Sequence, residues 1–284
     1  MQRLSNMLFH DADTSLATET QTALMVARRE LIRFSRTRVR ILSGLVQPVL
    51  FLFVLGYGLS PLIGSTAGFN FKQFVFPGVV AMSVITTAMF SAISIVWDRE
   101  FGFLREMLVA PVSRASLIVG KTVGGATVAS AQGLIMLALA PLVGIHLTPL
   151  LVVEVFAIEL LMAFALTAFG VFMASRIDKI EGFQVVMQLL LLPMLFLSGA
   201  MFPLVGLPPV LAFLTKINPL TYAVAPLRQV VFSAQHIPLA AQKRFPTGVE
   251  LFGHHLSIFA ELSIVALFAV VFLSLAIRAF TKVE

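Results

Sequence analysis

The stretch FVFPGVVAMSVITTAMFSAISIVW, residues 74–97, holds no charged side chain. As α-helix it reaches ~36 Å, enough to cross the ~30 Å hydrocarbon layer of a bilayer. A soluble core does not require apolar runs of that length. Five further blocks of similar character lie at 41–63, 117–145, 149–174, 184–205 and 255–277. Across its 284 residues the chain is 58% apolar and 12% charged, about half the charge of an ordinary globular domain. The expected fold is an all-α integral membrane protein with six transmembrane helices.

Charge then sets the expected orientation. With six spans, fifteen of the 20 Lys and Arg fall on one side. Arg3, Arg28, Arg29, Arg33, Arg36, Arg38 and Arg40 precede the first span. Arg99, Arg105, Arg114 and Lys121 lie around the second connection, Arg176 and Lys179 in the fourth, and Arg278 and Lys282 after the last span. Lys72, Lys216, Arg228, Lys243 and Arg244 fall on the other side. This asymmetry predicts that both termini are cytoplasmic. It also explains the net charge of +6 without a nucleic-acid partner. The chain has no cysteine, which excludes thiol catalysis, disulfides and thiolate metal sites. The first apolar block is too long for a signal-peptide core and is expected to remain as a spanning helix.

Residues 1–18 are polar and expected to form a poorly ordered cytoplasmic tail. Residues 19–40 read as an amphipathic interface helix. Leu24, Ala27, Leu31 and Phe34 recur at helical spacing, with Arg29, Arg33, Arg36 and Arg40 opposite. Such a helix lies in the membrane interface with its arginines near lipid phosphates. It serves either as a basic flank that sets topology or as a contact for a cytoplasmic partner. The rest, 41–284, forms the six-span domain. Within it, 204–234 is apolar enough for a seventh span, but Pro208, Pro209, Pro219 and Pro226 interrupt it. Two short helices joined at Asn218–Pro219, as a re-entrant hairpin over 206–234 on the outer side, fit these prolines better. Charge counting does not separate six spans from seven.

Residues Ala115–Thr122, ending Gly-Lys-Thr, match a relaxed phosphate-binding loop with Ala in place of the first Gly. That chemistry requires a strand, a glycine-rich turn and then a helix. Here Pro111 lies just upstream, no strand leads in, and Ser116–Val119 already belongs to an apolar run. Lys121 is read as the positive anchor at the end of span three. SIVWD (94–98) and LSGAM (197–201) resemble other ATPase elements but lie at the end of one span and within another. The expectation is a chain with no catalytic or metal site and no cofactor of its own. The histidines lack ligand spacing, apart from His254 and His255 near Glu250, which read as solvated loop.

WDREFGFLREMLVAPVSR (97–114) reads as a short helix over 98–111. Arg99, Glu100, Arg105 and Glu106 form its polar face. Phe101, Phe103, Leu104, Met107 and Leu108 form its apolar set, and Pro111 ends it. It either lies flat on lipid or docks its apolar side chains in the groove of a partner.

The residues Glu100, Gly102, Leu108, Pro111 and Ser113 resemble the coupling region of type-two ABC-transporter permeases, in the branch of daunorubicin-resistance and nodulation-factor exporters. FLSGAMFP (196–203) and NPLTYAVAPLR (218–228) resemble two further elements of that family. The order of parts agrees over nearly 19–280. The chain departs from the pattern at Phe103, Arg105 and Ala225, where Thr, Glu and Asp are common. The resemblance implies a permease subunit of an ATP-driven exporter in a prokaryotic plasma membrane. It would pair with a second permease subunit, identical or not, and each would dock one separate ATPase. ATP and magnesium would bind on that partner. Coupling to the ATPase would run through Glu100–Arg105, Met107, Leu108 and Pro111, beside the interface helix with Arg29, Leu31, Arg33, Phe34 and Arg36. Spans one and five would form the dimer seam or substrate path, with Gln47, Pro48, Gly56, Gln184, Gln188, Ser198 and Gly199. Gln188 equally fits an amide facing its own subunit. Asn218, Pro219, Tyr222 and Arg228 would shape the outer hairpin. The cargo would be an amphiphile such as a drug, lipid or glycolipid.

Glu154, Glu159 and Glu261 lie inside expected spans, where charge is costly. They are expected to pair with Lys216 or Arg228, to line an ion path, or to reach water at the chain ends. The ion path defines the alternative function, an ion-coupled secondary transporter or channel. A lipid-modifying membrane enzyme is disfavoured by the lack of a nucleophile–base pair.

Overall fold

The computed structural model describes residues 16–63, 71–102, 113–204, 206–235, 248–251 and 254–281. Helix α1 (Leu16–Arg36) begins inside the stretch expected to be a tail, of which 1–15 lie outside the described residues. It also stops short of residue 40. The chain breaks at Thr37, whose hydroxyl donates to the Arg33 carbonyl at 2.9 Å. Helix α2 (Arg38–Phe51) follows and passes into a π-helical turn over Leu52–Gly58. Pro48 sits inside α2; it has no N–H to donate, so the regular ladder loosens there.

Helices α3 (Phe71–Ser91) and α4 (Ile93–Glu100) form one 30-residue run interrupted at Ala92. Phe74–Ile85 is buried on every face, as in a helix surrounded by protein, so α3 is the axis of the bundle. Helices α5 (Arg114–Leu137) and α6 (Pro149–Arg176) pack on it and on each other. Both starts are capped. Ser113 Oγ accepts from the Ser116 N–H, and Thr148 Oγ1 from the Leu151 N–H with Pro149 in the first turn. Helices α7 (Ile180–Phe196), α8 (Pro209–Ile217), α9 (Pro219–Ala234) and α10 (Ile258–Thr281) complete the bundle. Phe169 and Phe172 of α6 meet Phe268 and Phe272 of α10, the last two with ring centroids 4.4 Å apart. Just before α10, Glu250–Leu251 and His254–His255 pair as a two-residue antiparallel ladder.

Among the described residues, four helical runs are long and apolar enough to cross a membrane: Ile41–Gly58, Phe71–Glu100, Pro149–Arg176 and Ile258–Phe280. Counting α8 and α9 as one broken span makes five. Six spans are expected from the sequence, and the two that this count leaves out have physical reasons for falling outside it. Helix α5 has the length, but Gly, Ala, Ser, Thr and Lys121 dilute its apolar character, because it is wedged between α1, α3 and α6. Helix α7 is apolar but has 17 residues, because the chain turns at Gly199 with φ of +76°, a conformation that favours glycine.

Candidate functional site

The residues Trp97–Gly102 close the α3–α4 run, and each of the three charged ones reaches a different element. Asp98 accepts from the ammonium of Lys121 on α5, which also donates to Ser94 Oγ at 3.2 Å. Arg29 of α1 lies 3.6 Å from the same carboxylate, and Glu30 of α1 lies 4.0 Å from Lys121. Arg99 donates to the carbonyls of Ala174 (3.4 Å), Ser175 (3.2 Å) and Ile177 (3.2 Å), and to the Asp178 carboxylate at 3.0 Å. Those carbonyls sit at the C-terminal end of α6, where acceptors have no intrahelical donor and a cation complements the helix dipole. Glu100 accepts from the Ile180 N–H at 2.9 Å, which satisfies a free donor at the positive N-terminal end of α7. Arg33 of α1 lies over the Trp97 ring at 5.8 Å. Nearby, Arg114 of α5 donates to the Phe280 carbonyl at 3.2 Å, at the C-terminal end of α10.

The helix does not continue through 98–111 as a single rod. It ends at Glu100, and Gly102 takes φ of +83° with its N–H on the Arg99 carbonyl. A glycine in this left-handed position is a common helix stop, which gives the Glu-x-Gly spacing a backbone reason. Trp97 and Phe101 remain exposed, at 41% and 61%. Phe103, Leu104, Arg105, Met107, Leu108 and Pro111 lie outside the described residues.

The Gly-Lys-Thr of the loop-like match sits within α5, not in a turn. A Cβ on Gly120 would lie 2.7 Å from the Ala23 carbonyl oxygen, and one on Gly124 would lie 3.0 Å from Ala27 Cα. These glycines, four apart, let α1 approach closely, as small residues do between membrane helices. Lys121 is buried and ion-paired, so it does not act as the surface anchor expected for it. The inward face of α1 is also corrected. Ala23, Val26, Ala27 and Glu30 face α5, while Leu24 is exposed, because Gly120 and Gly124 bring α5 up to the backbone of Ala23 and Ala27. Of the arginines, Arg29 and Arg33 turn toward the hub; Leu31 and Phe34 are half-buried and Arg36 exposed.

A second locus joins the motifs at 196–203 and 218–228. Asn218 caps α9 by accepting from the Leu220 N–H at 3.1 Å, and donates to the Met194 carbonyl of α7 at 2.7 Å. Pro219 opens α9. Thr221 and Tyr222 donate to the carbonyls of Thr215 and Lys216, both at 2.7 Å. Together they hold the 83° bend between α8 and α9. Arg228 is buried, lies over the Phe74 ring at 4.0 Å and donates to the Gly199 carbonyl at 2.6 Å. Ser198 Oγ accepts from the Ala200 N–H. The same turn presses on α3, since a Cβ on Gly78 would lie 1.9 Å from the Ala200 oxygen.

The acids do not pair with Lys216 or Arg228, contrary to one expectation. Glu261 accepts from Gln229 Nε2 at 2.7 Å and from the Val249 N–H at 3.0 Å. Glu154 is exposed. Glu159 is fully buried against Gly133 of α5, and neither of its carboxylate oxygens has a hydrogen-bond partner among the described residues. Of the expected seam residues, Gln47, Gln184 and Gln188 are exposed, and Pro48, Gly56, Ser198 and Gly199 are buried. Reading the sequence missed Glu30, Asp98, Lys121 and Asp178 as a set. A usable signal existed: Asp98 and Lys121 are opposite charges near the facing ends of two consecutive apolar runs.

A family model described as ABC-2 type transporter matches residues 21–232. The chain is 30% identical over 213 residues to transport permease ycf38 of Cyanophora paradoxa, covering 73% of each chain. It is 30% identical over 210 residues to nodulation protein J of Rhizobium leguminosarum bv. viciae, covering 72% of this chain and 80% of that one. It is 29% identical over 220 residues to inner membrane transport permease YadH of Escherichia coli, covering 74% and 83%.

Proposed function

This chain belongs to the ABC-2 type transporter family, and on that premise we propose that it is the membrane-spanning subunit of an ATP-driven exporter. A separate ATPase binds ATP and magnesium and docks on the segment that begins at Phe101. Two permease subunits, each with one ATPase, make the transporter. Helices α2, α3–α4, α5, α6, α7 and α10 are its six crossings, and α8–α9 is a re-entrant hairpin on the outer side. Both termini face the cytoplasm of a prokaryotic cell, and the cargo is an amphiphile moved outward.

What carries this reading is the hub. Five helices, α1, α5, α6, α7 and α10, are tied directly or through Arg114 to one end of the bundle. Trp97 and Phe101 are exposed at that end. A rigid base that exposes two aromatic side chains suits docking on a partner better than a solvated loop does. The test is co-purification with the ATPase subunit from membranes. Phe101→Asp and Leu108→Asp are expected to weaken the complex about tenfold or more, as loss of an apolar anchor does elsewhere. Glu154→Gln, on an exposed face of α6, is the unaffected control. Undiminished binding by both aspartate variants overturns the reading.

Glu159 supports a second reading, ion-coupled transport. A carboxylate enclosed without a partner in membrane is a functional candidate by default. Under the first reading Glu159→Gln leaves ATP-driven transport intact. Transport that continues without any ATPase, and is lost on Glu159→Gln or on collapse of the ion gradient, favours the second.

A further inference from the structure

Among the described residues, helix α7 is the long helix least anchored within its own subunit. Val185, Leu189 and Leu192 line an exposed face, and its packing against α3, α4 and α6 is sparse beside that of the other long helices. At its first turn it is fastened by Glu100, which accepts from the Ile180 N–H. One residue earlier, Arg99 grips the last carbonyls of α6 and the Asp178 carboxylate. The guanidinium is mostly enclosed, with 16% of its side chain exposed. Two adjacent residues thus hold both sides of the short link from α6 to α7. Both precede Gly102, where the chain leaves for the segment assigned above to ATPase docking.

We propose that Arg99 and Glu100 are a transmission joint, which delivers movement of the docking segment to the first turn of α7. The proposal rests on the coupling reading and adds the route by which force reaches one helix. The geometry gives the two residues different duties. Arg99 fixes the joint to α6, which has buried residues from Leu151 to Ser175. Glu100 is the moving contact, because a single hydrogen bond to a backbone N–H at the start of a lightly packed helix pulls that end without disturbing the core. A push on the segment tilts α4 about Arg99, and Glu100 carries the Ile180 end of α7 with it. Both residues act as positioning residues; the structure places neither against cargo or nucleotide.

The test uses the complete complex of permease and ATPase in lipid nanodiscs. The chain is naturally free of cysteine, so Glu181→Cys places a single spin label on the exposed first turn of α7. The reading is the change in its spectrum on trapping the ATPase with ATP and vanadate. Glu100→Ala is expected to abolish that change while ATP hydrolysis by the complex persists. Glu100→Gln is expected to retain it, because the amide oxygen still accepts from the Ile180 N–H. Arg99→Ala is expected to behave as Glu100→Ala. If Arg99→Ala fails to fold, the two Glu100 variants decide alone. A change that survives in Glu100→Ala overturns the joint. So does a loss in Glu100→Gln equal to that in Glu100→Ala, which would mean that Glu100 meets a cation on the ATPase instead. A parent chain that captures no ATPase overturns the coupling reading itself, and the two failures are thereby distinct.

Discussion

Lys121 shows how much one residue's meaning depends on depth. In sequence it completes a Gly-Lys-Thr and invites a phosphate; in the fold it neutralises Asp98 inside a cluster with Glu30 and Arg29. A buried pair contributes little net stability over an apolar pair of the same shape, but breaking one partner leaves a charge uncompensated. Lys121→Met leaves Asp98 with Arg29 alone, at 3.6 Å, and is therefore expected to cost about 3 kcal/mol, the low end for a broken buried pair, read as a lowered unfolding midpoint in detergent. The double variant Asp98→Leu with Lys121→Met is expected to recover most of that loss, because no charge is left stranded. Equal damage in the single and double variants would show that the pair is doing something other than neutralising itself. The pairing was hard to read from sequence because Asp98 and Lys121 are 23 positions apart and each has a sufficient explanation alone. Asp98 looks like the polar end of one span and Lys121 like the anchor of the next.

At the scale of elements, the apolar blocks were legible and their ends were not. The uncharged stretch 74–97 predicts one span and forms the core of the Phe71–Glu100 run. The pattern over 98–111 predicts one helix, yet the helix closes at Glu100, because Gly102 takes a φ of +83°, which a Glu-x-Gly spacing encodes only indirectly. The same holds for LSGAM. Its Gly199 is a turn residue, and its neighbour Ala200 is pressed on Gly78 of a distant helix. Substituting Gly78 tests that contact. A Cβ there would lie 1.9 Å from a backbone oxygen, which cannot rotate away, so the whole turn must move. Gly78→Ala is expected to be destabilised by about 1–3 kcal/mol, in the range of overpacked cores. Gly58→Ala, with nothing within 4 Å of the added carbon, is the matched control. Similar unfolding midpoints for the two would mean that the turn does not rest on α3.

For the whole molecule, the proposed pairing of two permease subunits requires one apolar face to meet another copy while the others meet lipid. Helices α2, α7 and α10 all expose large apolar side chains, so hydrophobicity alone does not choose among them. Polarity within the stripe sets α10 apart from α7 and from α2, where Gln47 is exposed. On α7, Gln184 and Gln188 are exposed beside Val185, Leu189 and Leu192. Amides turned toward hydrocarbon have donors and acceptors that no lipid tail can satisfy, whereas amides facing a second copy can bond across the seam. The exposed face of α10, with Leu267, Val270 and Val271, holds no amide. Because the chain has no cysteine, single introduced cysteines report the contact without background. Leu189→Cys in native membranes is expected to form a covalent dimer on mild oxidation. Val270→Cys, equally apolar and exposed, is expected to stay monomeric. Were the α7 stripe a lipid face, both would remain monomers. Were α10 the seam, the pattern would reverse, and Gln184 and Gln188 would require a different account.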